Sequence, residues 1–181
     1  MSAMNLNYKQ KGNFTVEFAI VGVAFSFLII FSADVIVKLS LKGKLDRLSY
    51  SVANILKERT QFYNDSYTLS EAETSTLNTI AKQSMRRTSQ NFDGKRWGMH
   101  IEALQFNSRD ESVVVSFPEG TQPITPSIGM DSLRNLAVMT SWGRRASIYR
   151  VTMVYRTENW FGALIGEEFN TVSSSAIMIG R

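Results

Sequence analysis

Cysteine is absent from this chain of 181 residues, histidine occurs once and proline three times. Without thiols there is no disulfide staple, no thiolate nucleophile and no cysteine-bearing zinc site, although the absence is neutral about the redox compartment. The one histidine, His100, lies beside Met99 and Ile101 at the start of a β-prone stretch and reads as an ordinary strand residue. A serine triad built on it needs a nucleophile elbow, and no G-x-S-x-G occurs. No D-x-D-x-D-G loop offers oxygen ligands for calcium. Gly162 and Gly166 frame Ala163-Leu164-Ile165 without the following Lys-Ser or Lys-Thr of a phosphate cradle, and Glu167 and Glu168 read as solvated loop acids. The chain is therefore read as no enzyme, with no cofactor and no metal.

Charge is also missing, from Phe18 through Ala33. The apolar run from Phe14 to Ala33 approaches the roughly 20 residues that carry a helix across a bilayer core. Glu17 and Asp34 stand at its two ends, where a carboxylate in or near hydrocarbon is costly unless it finds a partner. A removable secretory signal ending at Ala33 would want a small residue where Phe31 stands. Gly22 and Ser26 are four residues apart and would let another helix approach closely.

Past Ala33 the pattern becomes amphipathic. Val37, Leu41, Leu45, Leu48, Val52 and Ile55 recur at spacings of four and three, with Lys42, Lys44, Asp46, Arg47, Lys57, Glu58 and Arg59 on the other faces. One helix is expected from near Thr15 to about Arg59, softened at Gly43 by roughly 1 kcal/mol relative to alanine. The seam is short and reads as packing on the chain's own domain rather than as a coiled coil. Lys9 and Lys11 precede the span, whereas Lys38, Lys42, Lys44 and Arg47 follow it, so the positive-inside rule gives no clean orientation.

The stretch from about Thr60 to Arg181 is long enough for one small domain. Asn64-Asp65-Ser66 reads as a turn, and Ser70-Glu71-Ala72-Glu73 has capping-box spacing. Leu77, Ile80, Ala81 and Met85 follow at helical intervals, so a second helix is expected over 70–87. Met99–Phe106 and Ser112–Phe117 are expected to pair as a hairpin, followed by a proline-rich loop from Pro118 to Gly129. Asp131 is expected to cap a third helix through Ser141 that buries Leu133, Leu136, Ala137 and Trp142. Ser147–Arg156 and Thr171–Ile179 complete the strands, with a loop over 159–168. The expected fold is α+β, a small antiparallel sheet packed on a long N-terminal helix with additional helices.

The net charge is +4, and three basic pairs, Arg86-Arg87, Lys95-Arg96 and Arg144-Arg145, lie near Phe92, Trp97 and Trp142. Single-strand binders share that composition, but the excess is small and reads as solvated faces, so no nucleic acid partner is expected. Trp160 and Phe161 form an aromatic pair in a loop, readable as a partner contact or as cover for the domain's own core.

Lys11-Gly12-Asn13-Phe14-Thr15-Val16-Glu17-Phe18 joins a short polar leader to the apolar run and places a single acid five residues past Gly12. This arrangement resembles the type IV prepilin signature. Val16-Glu17-Phe18-Ala19 is similar to the core of the TadE/TadF minor pilins, or pseudopilins, of the tight adherence pilus, and the close Ser173–Arg181 is nearer to TadF than to TadE. The resemblance implies a leader of residues 1–12, cut by a prepilin peptidase between Gly12 and Asn13 on the cytoplasmic side. It implies a long helix over 13–59, with a membrane half at about 14–33 and an amphipathic half at about 34–59, and a pilin-like globular domain over 60–181. It places that domain in the periplasm, anchored in a bacterial inner membrane, with incorporation into the extracellular pilus left open. Expected partners are a TadE-like minor pilin and the major pilin, and the expected outcome is surface attachment and biofilm formation. Cleavage creates an α-ammonium at Asn13, one turn from Glu17, and Glu17 of one subunit is expected to neutralise the amino terminus of its neighbour. Phe18, Gly22 and Ser26 lie on the same segment and are expected to take part in assembly. The rival reading is a signal-anchored periplasmic binding or sensory domain whose leader stays attached.

Overall fold

A computed structural model describes residues 11–59, 68–107, 109–126, 128–141 and 143–180, with side chains from residue 14 onward. Helix α1 runs unbroken over Lys11–Lys57, beginning upstream of the expected start near Thr15 and holding through Gly43. The described chain divides into two compact units, one comprising α1 up to Lys38 together with Glu158–Phe169, the other comprising 39–157 and 170–181.

In the second unit α1 buries Leu41, Leu45, Val52, Ala53 and Leu56, with Leu48 packed at the margin. Val37 and Ile55, expected on this stripe, are exposed. A helix of 3.6 residues per turn brings Leu56 to the centre of the buried face and leaves positions 37 and 55 at its edge. Helix α2, Glu71–Thr88, starts from the expected capping box: the Ser70 hydroxyl accepts from the Glu73 amide, and the Ser70 amide donates to Glu73 Oε2 at 2.8 Å. It buries Thr74, Leu77, Asn78, Ala81 and Met85, whereas Ile80, expected on the same face, stays exposed. Arg59, almost wholly buried, reaches Glu73 at 2.9 Å and the Thr68 carbonyl at 2.7 Å. Burial is the largest influence on Glu73 and opposes its ionisation, but the hydrogen bonds from Ser70 and Arg59 together hold its carboxyl below the ordinary range. Ser70→Ala is expected to cost about 1 kcal/mol, read as a lower urea midpoint at unchanged slope. An unmoved midpoint would show that Arg59 holds Glu73 without the cap.

Among the described residues four antiparallel strands follow: β1 (Trp97–Phe106), β2 (Ser112–Gly120), β3 (Ile148–Arg156) and β4 (Thr171–Ile179), in the order β2-β1-β3-β4. One face presents Trp97, Met99, Ile101 and Ala103 of β1 with Tyr149, Val151, Met153 and Tyr155 of β3 to the same core as α1 and α2. This is the expected α+β architecture. Trp97 is fully buried, and its indole N–H donates to Asn78 Oδ1 at 2.9 Å. On the other face Leu104 and Ile148 form a smaller core with Met130 and Ala137.

Three local expectations need correction. Pro118 lies inside β2, opposite His100, rather than in the following loop. It is tolerated because β2 is an edge strand, where a missing N–H costs no ladder bond. The expected third helix is a short 3₁₀ helix over Met130–Leu136, without a side-chain cap from Asp131, and Leu136 is exposed. Met130 at the start of that short helix and Ala137 at its C-cap reach the outer core, after which the backbone extends and bridges Met139 to Arg145. The expected loop over 159–168 contains a short helix, α3 (Trp160–Ile165), ended by Gly166 in the left-handed conformation. Trp142 and the turn expected at Asn64-Asp65-Ser66 lie outside the described residues.

Candidate functional site

The apolar part of α1 is the feature that a soluble core would not leave open. Its most apolar 18-residue window has a mean hydropathy of 2.5, yet only 6% of that window is buried. Phe14, Val16, Phe18, Ile20, Val23 and Phe25 are all exposed. A helix uncovered in this way matches a membrane-anchored protein, because lipid or neighbouring helices supply the missing contacts.

Along one line of this surface, at successive spacings of four, come Phe14, Phe18, Gly22 and Ser26. The first two rings stack with centroids 6.5 Å apart. Space beside Gly22 is open, and Ser26 turns its hydroxyl inward to donate to the Gly22 carbonyl at 2.9 Å, so the column passes from two bulky groups to a shallow notch. Glu17 is exposed on this segment, and Gly12 and Asn13 lie in the first turn of α1. Asp34, the acid at the other end of the run, is buried and paired with Lys38 one turn on. That is the partner its position demands.

Residues 158–169 belong to the same unit as this helix. Phe161 packs edge-on against Phe31 of α1 at 4.9 Å. Trp160 is about half exposed, its indole N–H donating to Glu158 at 2.8 Å. The aromatic pair thus splits, one ring against the apolar helix and the other outward.

In the second unit, strand register assembles polar groups that no local pattern announces. Glu102 and Arg150 are opposed on β1 and β3, and both carboxylate oxygens accept from the guanidinium at 2.7 and 2.8 Å. Arg150 also donates to the Ile128 carbonyl at 2.6 Å, pinning the crossing loop to the sheet. Ser174 of β4 reaches Asp46 at 2.6 Å and Ser49 at 2.9 Å, tying the last strand to α1. Hydrogen bonds from Lys42, and then from Ser174, hold the Asp46 carboxyl below its usual range.

His100 sits 2.6 Å from Ser116 Oγ and 3.9 Å from Glu102, an approximation to a serine–histidine–acid relay. The second distance exceeds a hydrogen bond, and Glu102 is already committed to Arg150. Burial, the largest influence, pushes the imidazole below its ordinary pKa against the opposing pull of Glu102. His100 Nδ1 is left buried without a hydrogen-bond partner among the described residues, so the relay is broken at its second link. Among the described residues no group of three or more His, Asp or Glu side chains is arranged to hold a metal.

Part of the basic excess is used internally. Arg145 and Arg134 both pair with Asp110, at 2.8 and 3.3 Å, and both guanidinium groups lie over the Phe106 ring. The hydrogen bond from Arg145 is the main reason that the Asp110 carboxyl is held below its usual range. No curated protein and no solved structure matches the chain. A family model described as "Putative tight adherence pilin protein F" matches residues 5–181. With that match running through the uncovered helix and the whole sheet domain, the chain belongs to the TadF family of tight adherence pilins.

Proposed function

We propose that this chain is a minor pilin or pseudopilin that supports assembly of a tight adherence pilus for surface attachment and biofilm formation. The family supplies the broader statement, a pilin role that involves other pilus subunits. The observation that carries the finer one is the long apolar surface of α1, left uncovered within the chain and bordered by Glu17 near its start. In this reading a prepilin peptidase removes residues 1–12 at Gly12, leaving Asn13 first. The apolar half of the helix over 13–59 stays in the inner membrane, and the domain over 60–181 lies in the periplasm. Lateral packing with a TadE-like subunit and the major pilin then uses Phe18, Gly22 and Ser26, with Glu17 matched to a neighbour's amino terminus. Burying either charge alone is costly, so pairing them sets the axial register.

The test is expression with and without a matching prepilin peptidase, alongside Gly12→Ala, followed by intact mass and N-terminal sequencing. Peptidase-dependent loss of residues 1–12, blocked by the variant, is the expected result. A full-length mass in the presence of active peptidase would overturn the processing step and favour a signal-anchored periplasmic domain.

A further inference from the structure

We infer that residues 158–169 are a second membrane-contacting element, seated at the boundary between acyl chains and headgroups beside the end of the apolar span of α1. The inference rests on the reading of α1 as membrane-inserted and adds to it a part of the chain that lies far away in sequence. Its first support is depth. Phe161 packs on Phe31. Seventeen residues separate Phe14 from Phe31, about 26 Å at a rise of about 1.5 Å per residue. This is close to the roughly 30 Å of bilayer hydrocarbon. The next charge along α1 is Asp34, so Phe31 lies where hydrocarbon gives way to the polar layer.

The second support is construction. β3 and β4 are antiparallel neighbours, which a turn of about two to five residues joins. Here the connection takes residues 157–170 and closes on itself. Asn159 donates to the Glu167 carbonyl at 2.7 Å and accepts from the Phe169 amide at 3.2 Å, while the Glu167 amide returns to the Gly162 carbonyl at 2.9 Å. Gly162 is required inside this closure, since a Cβ there would run into Asn159 and the Glu167 carbonyl. The segment is thus a built platform, not slack chain.

The third support is what the platform shows. Trp160, Leu164, Ile165 and Phe169 are each about half exposed, with Glu158, Glu167 and Glu168 at the flanks. Tryptophan and bulky apolar side chains suit the interfacial layer, where apolar bodies enter the acyl boundary and polar tips stay wet. At the depth set by Phe31, lipid is the occupant that these side chains meet.

The absence of cysteine makes the test direct. Full-length protein carrying Leu164→Cys, labelled with an environment-sensitive fluorophore, is reconstituted at low protein density into vesicles of phosphatidylethanolamine and phosphatidylglycerol. Val23→Cys reports the span, and Val113→Cys on the edge strand reports a water-facing site. The expected result is that the label at position 164 is quenched by lipids spin-labelled near the top of the acyl chain. It should also be several-fold less sensitive to aqueous iodide than the label at position 113. Behaviour like that of position 113, with position 23 quenched by lipid, overturns the inference while leaving the anchor intact. Protection from iodide without lipid quenching would mean cover by a second copy and overturns it too. Failure of lipid quenching at position 23 would overturn the membrane reading of α1, and this inference with it.

Discussion

Arg150→Met should destabilise the sheet domain by about 3–5 kcal/mol, the range for removing one partner of a buried ion pair. The reason is the carboxylate left behind. Glu102 and Arg150 are both buried, and both Glu102 oxygens are satisfied by that one guanidinium. Removing it also strips the Ile128 carbonyl of its donor and releases the loop that covers the outer core. Arg150→Lys should recover little, because an ammonium cannot reproduce the two parallel bonds. The double replacement Arg150→Met with Glu102→Leu should return much of the loss, since neither charge then needs solvation. Denaturant unfolding of the parent, Arg150→Met, Glu102→Leu and the double replacement in detergent, followed by near-ultraviolet circular dichroism, closes the cycle. A single variant within about 1 kcal/mol of the parent, well under the buried-pair range, would show that water reaches Glu102 when its partner is gone.

Glu17→Val should leave synthesis, insertion and leader removal intact while reducing incorporation into assembled pili by about a hundredfold. The magnitude follows from an amino terminus left without its counter-charge in hydrocarbon, at roughly 2.5–3.5 kcal/mol for a charged group. Each 1.4 kcal/mol is about a factor of ten. Glu17→Asp retains the charge on a shorter arm and should fall between the two. The measurement compares sheared surface material with the membrane fraction, with intact mass confirming the same mature start in both. Normal incorporation of the valine variant would remove Glu17 from the assembly mechanism and leave its place in the helix to local electrostatics alone.

Local chemistry was legible wherever one short stretch contains the whole cause. Ser70 and Glu73 make a capping box by their spacing, and the fourth strand runs over Thr171–Ile179 as its pattern predicts. Phe14–Ala33 is apolar by composition, and the fold leaves it uncovered. Pairings between distant segments were not legible. Glu102 and Arg150 meet across 48 positions by strand register, and Asp46 and Ser174 across 128 by the packing of α1 on β4, and no periodicity within either segment carries the information. Pro118 misleads for the same reason: as an edge residue it needs no donor, and only the strand order shows that β2 is an edge. Asp131 has the composition of a cap, but Met130 and Ala137 at the two ends of a short 3₁₀ helix satisfy the outer core, and no longer helix is called for. At the candidate site, Gly12 and Glu17 are read from motif and spacing. Phe161 and Phe31 meet across 130 positions, and neither local stretch carries a sign of the contact.

The latch between Ser174, Asp46 and Ser49 has a consequence for the chronology of folding. The helix is synthesised first and its stabilising serine arrives from the last strand, so the amphipathic half of α1 is finished only after β4 has been delivered. Until then β3 is an open edge with one side of its ladder unfilled, while α1 already tethers the growing chain. Closure over so long a loop is slow in bulk solution. The entropic cost of that closure grows only slowly with loop length, each doubling adding about 0.6 kcal/mol, so the separation in sequence delays the latch without forbidding it.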